Sequence, residues 1–148
     1  MKAKVWSTGI ALSLLVLALP ASATLGEDVT SVRADQARMG AVLKITQADK
    51  FAVHEIQLPS GTAVKEYVSP EGQVFAVSWQ GPSLPDLQQV LGRYFAQFTE
   101  AAQGAASGPR AIQQPGLVVQ SAGHMRAFFG RAYLPQMLPQ GVVAEDIQ

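Results

Sequence analysis

The sequence predicts an α+β fold: an antiparallel β-meander and a C-terminal β-hairpin, covered on one face by one long amphipathic helix. A short N-terminal helix precedes them. Three observations lead there. Phe51–Gln80 alternates apolar and polar residues through three short runs, parted by turn formers at Ser60-Gly61 and Ser69-Pro70-Glu71-Gly72. Ser83–Ala102 repeats apolar residues at helical intervals, and Leu117–Leu134 returns to an extended pattern.

Taken in order, Met1–Ala23 reads as a leader and not as part of the fold. Lys2 and Lys4 precede a short apolar run from Ile10 to Leu19. Ala21-Ser22-Ala23 then offers the small-x-small pattern a signal peptidase cuts, between Ala23 and Thr24. The run is short for a membrane span. The expectation is export to the periplasm or the outside of the cell as a single domain, Thr24–Gln148, with no span after cleavage.

In that domain Thr24 and Glu27 have capping-box spacing, and Leu25, Val29, Val32 and Met39 predict a helix ending at Gly40. Ala41–Thr46 reads as a strand turned by Ala48-Asp49-Lys50 into the run from Phe51, so the meander has four strands. If Ser60-Gly61 closes a two-residue turn, Ile56 faces Lys65 and Val77, and His54 faces Tyr67 and Phe75. Leu58, Ile56, Tyr67, Phe75, Val77 and Trp79 then share one apolar face.

Ser83 is expected to cap the helix, with Pro85 in its first turn. Leu84, Leu87, Val90, Leu91, Tyr94, Phe95, Phe98 and Ala102 form one stripe. Burying a Leu- or Phe-sized side chain contributes roughly 1.5–3 kcal/mol, so this stripe outweighs caps and turns. Gln103–Gln114 is small, polar and contains Gly and Pro, which predicts a surface loop. Leu117–Ser121 reads as a strand, Ala122-Gly123 as a turn, and His124–Leu134 as a second strand bulged at Gly130. Val142 and Val143 add an extended segment before a loose acidic end.

Composition excludes several functions. The chain has 148 residues, 15% of them charged, and a formal net charge of zero. Loss of Lys2 and Lys4 makes it slightly acidic, and the remaining basic residues stand singly, without the stripe a phosphate backbone needs. Nucleic acid is not an expected partner. The absence of cysteine leaves no disulfide, thiol nucleophile or thiolate metal site.

The stretch HEIQLPSGTAVKEYVSPEGQVFAVSWQGPSLPDLQQVLGRYF, followed by GRAYLPQMLPQGV, resembles a family of short exported proteins of Gram-negative bacteria. That family is a domain of unknown function, marked by the blocks VFAVSWQGP (Val74–Pro82) and GRAYLP (Gly130–Pro135). The resemblance implies an exported single domain. It brings no activity, cofactor or catalytic residue.

Candidate chemistry is sparse. His54-Glu55 lacks the second histidine of a zinc hydrolase helix, since Leu58 stands there, and on a strand the two point to opposite faces. His54 is expected at the edge of the apolar face, bonded to a neighbour. His124 could approach His54 if the last strands join the same sheet, but no acid near it in sequence supplies a third ligand. Glu55 and Glu66 face each other on the outer side in this register, a mild cost or a sign that the pairing is off by one. Lys65 projects onto the apolar side, with its stem along the core and its ammonium reaching outward. Trp79 is expected in the core where strand meets helix, with a ligand-anchoring lip as the second reading. Arg131, in the block with Tyr133, is placed to reach an anion or a partner.

The resulting expectation is a non-catalytic exported module that binds an envelope or secreted protein, or a small apolar ligand. Its binding residues are His54, Lys65, Tyr67, Trp79, Arg131 and Tyr133, with no metal and no cofactor. The alternatives are a small cofactor-independent enzyme built on His54, Lys65 and Tyr67, and a structural subunit that assembles through its sheet edges.

Overall fold

The computed structural model describes residues 25–30, 42–103 and 109–148. The expected leader, its expected cut site and most of the expected N-terminal helix lie outside the described residues. Within them one antiparallel sheet holds seven strands: β1 (Val42–Gln47), β2 (Ala52–Gln57), β3 (Ala63–Val68), β4 (Val74–Gly81), β5 (Arg110–Gln114), β6 (Leu117–His124) and β7 (Ala127–Tyr133). The spatial order is β1-β2-β3-β4-β7-β6-β5. The four-stranded meander is present as expected, and the C-terminal strands join it through β4 and β7.

The register differs by one residue from the expected one. Gly61 N–H donates to the Leu58 carbonyl, and Leu58 and Thr62 close the loop around it. The turn is therefore Pro59-Ser60-Gly61, three residues with Gly61 at φ +87°, instead of two. Ile56 pairs with Val64, and His54 with Glu66. The second turn has the expected form, with Gly72 donating to the Ser69 carbonyl. Beyond it Val68 pairs with Val74 but Tyr67 with Ala76, so Phe75 is the extra residue of a bulge. Each slip sends side chains to the other face.

The consequence is two apolar clusters. Ile56, Val64, Val77 and Trp79 meet Val90, Leu91 and Phe98, with Leu25, Ile112, Leu117, Val119 and Leu134 alongside. Tyr67, Phe75 and Ala76 instead meet Val142 and Ile147 on the second face. There Phe51 packs at ring-centroid distances of 5.7 Å from Tyr67 and 5.9 Å from Phe75. Tyr67 and Phe75 thus do not share a face with Ile56 and Trp79, contrary to expectation.

The helical stretch begins later than expected. Asp86, not Ser83, is the N-cap, accepting from the Gln88 and Gln89 N–H groups. Ser83 is instead tied to Thr62, whose hydroxyl donates to the Ser83 carbonyl at 2.7 Å. Helix α1 (Leu87–Leu91) passes through a 3-10 turn at Gly92–Tyr94 into α2 (Phe95–Ala102). Leu84 falls outside it and is 45% exposed.

Three further expectations are corrected. Arg110–Gln114 lies within the expected surface loop yet forms β5, because it finds a complete ladder on β6. The last hairpin turns at Met125-Arg126, with φ +49° and +71°, and not at Ala122-Gly123. The C-terminal segment is anchored rather than loose. Val142 and Ile147 are buried, and Lys50 Nζ donates to the Gly141 carbonyl at 2.9 Å.

Candidate functional site

The C-terminal segment covers only one end of the second sheet face. Where it stops, an open pocket of about 630 Å³ remains, within the range of small-molecule sites. Pairing across five strands explains its floor. One rung runs Lys65, Ser78, Arg131, Gln120, Ala111. Two residues along, and so on the same face, another runs Ala63, Gln80, Phe129, Ala122. All nine line the pocket, as do Arg110 and Ile147. A polar rung thus lies beside a mostly apolar one, and Phe129 is 57% exposed on it.

The wall between pocket and cover is a hydrogen-bonded seam around Gln148. Tyr67 Oη accepts from the Gln148 N–H at 2.8 Å and donates to the Gln148 main-chain oxygen at 2.5 Å. The same oxygen receives Ser78 Oγ at 3.0 Å and Lys65 Nζ at 3.1 Å. Arg131 donates through Nε to Gln120 Oε1 at 2.8 Å, and through Nη1 to the Ala144 and Ile147 carbonyls. These bonds hold the cations against the sheet instead of letting them swing into water.

The expected site residues separate into three groups. Lys65 and Arg131 line the pocket, and Tyr67 fixes its wall. Lys65 is therefore not on the helix-side apolar face; the one-residue slip moves it across the sheet. Tyr133 is half-buried against the second cluster, at the covered end. Trp79 is buried in the first cluster as the core reading expected, with its indole against Gly130, and it also borders the pocket. Gly130 is thus the seat of the indole and carries no bulge in the β4–β7 pairing.

His54 lies on the other face. It is buried and pairs across strands with buried Glu66, instead of sitting beside Tyr67 and Phe75. Glu66 borders a small cleft of about 30 Å³, about the volume of a single water molecule. His54, Lys65 and Tyr67 therefore do not converge on one reacting position. Glu55 pairs with Lys65, not with Glu66. His124, on β6, is separated from His54, on β2, by three strands, roughly 19 Å of sheet at about 4.8 Å per strand. Among the described residues no three His, Asp or Glu side chains group as metal ligands.

Sequence reading missed Arg110, Gln120, Phe129 and Ala122, which surround the pocket. The signal was available in the alternation of β6 and β7. It was masked by placing the hairpin turn at Ala122-Gly123, which splits that rung.

No helix among the described residues is long and apolar enough to cross a membrane. No curated protein and no solved structure matches the chain. A family model described as "Protein of unknown function (DUF2844)" matches residues 21–147, and the chain belongs to that family.

Proposed function

We propose that the chain is an exported, non-catalytic binding module of the cell envelope, and that its ligand sits in the pocket on the second face of the sheet. One observation carries the reading. A concave site of about 630 Å³ is lined by Lys65 and Arg131, with Phe129 and three alanines, and among the described residues by no carboxylate side chain. Apolar floors with a few placed polar groups are how small-molecule sites are built. The leader at Met1–Ala23 supports export.

Native mass spectrometry of protein purified from its own host tests this. Adducts of defined mass should accompany the wild-type chain and be lost in Ala122→Trp, which fills the pocket. A bare wild-type chain that also gains nothing from envelope extract would count against a binding role. Cell fractionation with N-terminal sequencing should find Thr24 at the start of an envelope or secreted form.

A second reading, assembly through sheet edges, is favoured by β1. This strand is an edge of the sheet among the described residues, and it exposes Val42 (72%) and Ile45 (50%). Sedimentation over a range of concentrations should then show association that Ile45→Lys abolishes.

A further inference from the structure

We propose, on the reading of the pocket as a ligand site, that its occupant is an amphipathic anion: an apolar body carrying a single carboxylate or phosphate head. The charge balance of the lining argues for it. Lys65 and Arg131 project onto the pocket face, and among the described residues no Asp or Glu lines it. The nearest carboxylate in the same rung, Glu55, faces Lys65 from β2 but does not close to ion-pair distance.

These cations retain donors. Arg131 spends Nε and Nη1 on Gln120, Ala144 and Ile147, so the two N–H groups of Nη2 have no acceptor among the described residues. Lys65 spends one of its three N–H donors on Gln148. An anion in the pocket accepts these remaining donors of Lys65 and Arg131 in charge-assisted hydrogen bonds.

The second half of the ligand is dictated by the neighbouring rung. Ala63, Phe129 and Ala122 stand one side-chain step from Lys65, Arg131 and Gln120 on the same face. A simple inorganic anion would leave that surface wet. A purely apolar ligand would bury the cations unpaired. A molecule with its head on the polar rung and its body over Phe129 satisfies both.

Titration calorimetry with dodecyl probes, each kept below its micellar concentration, tests the proposal. Dodecanoate and dodecyl phosphate should bind at least about tenfold more tightly than dodecyl maltoside or dodecyltrimethylammonium, since a hydrogen bond to a charged group is worth that much. The tighter of the two anions identifies the head group. Lys65→Gln should weaken the anions by about tenfold and leave the neutral probe unchanged, while Phe129→Ser weakens all probes. Arg131 is kept, because it also holds the Ala144 and Ile147 carbonyls; circular dichroism verifies the fold of each variant. Equal binding of neutral, cationic and anionic probes, lost in Phe129→Ser, would overturn the anion and leave the pocket standing. No binding by any probe, with Ala122→Trp also silent, would overturn both.

Discussion

The indole of Trp79 lies directly over Gly130, its cross-strand partner on β7. A Cβ at position 130 would sit 2.6 Å from the indole Cε2 and equally close to the Gln120 carbonyl oxygen. Neither the close-packed ring nor the backbone can yield cheaply. Gly130→Ala should therefore destabilise the protein by roughly 1–3 kcal/mol through overpacking. Urea unfolding followed by tryptophan fluorescence measures this, and an unchanged midpoint would refute the tight seat.

Tyr67 should matter for the C-terminal segment more than for the sheet. Its hydroxyl both accepts from and donates to the Gln148 main chain. Tyr67→Phe keeps the ring against Phe51 and Phe75 but removes both bonds. Stability should fall by about 1–2 kcal/mol. Hydrogen exchange should speed up at Val142 and Ile147 while β2–β4 amides stay protected.

The β6–β7 turn invites the opposite result. Met125 and Arg126 both have positive φ, a costly region for residues with a Cβ, and Met125 is 90% exposed, so it packs on little. Asn-Gly is the preferred pair for a two-residue hairpin loop of this kind. Met125→Asn with Arg126→Gly should raise stability by about 1 kcal/mol or more, read as a higher thermal midpoint. The same double substitution should leave pocket binding intact.

Position decides cost along the helical segment. Leu91 is fully buried in the first cluster, whereas Leu84 is half in water before the helix begins. Leu91→Ala should cost about 2–5 kcal/mol and Leu84→Ala less than about 1 kcal/mol. Parallel denaturation curves separate the two. Similar losses would mean that Leu84 packs where the structure leaves it exposed.

Much of the architecture was legible because strong local signals agreed with it. Alternation found the strands β1 to β4, Pro70 and Gly72 found their turn, and the stripe from Leu87 to Phe98 found the helical segment. Register was not legible, for identifiable reasons. Ser60-Gly61 is equally compatible with a two- or three-residue loop, and the longer loop was stabilised by the Gly61 to Leu58 bond. The bulge at Phe75 has no Gly or Pro to announce it. Strand β5 hid among polar residues because an edge strand needs only one good face, here supplied by Ile112.

The candidate site suffered most from those slips. The sequence points to Lys65 and Arg131, but the expected register places Lys65 on the opposite face of the sheet. His54 was placed beside aromatics when its partner is Glu66. Cross-strand neighbours are long-range facts, and a single residue of offset exchanges every one of them.

The strand order has a consequence for how the chain assembles. Among the described residues every strand pairing but one joins strands adjacent in sequence; β4 and β7 meet across a long separation, from Gly81 with Phe128 to Ala76 with Tyr133. The molecule is thus two ribbons, each able to zip through short loop closures, stitched along a single seam. The pocket straddles that stitch, since β3 and β4 bring Lys65 and Ser78 while β5, β6 and β7 bring Ala111, Gln120 and Arg131. The proposed ligand would act as a rivet gripping both sides, held only once the two ribbons have joined.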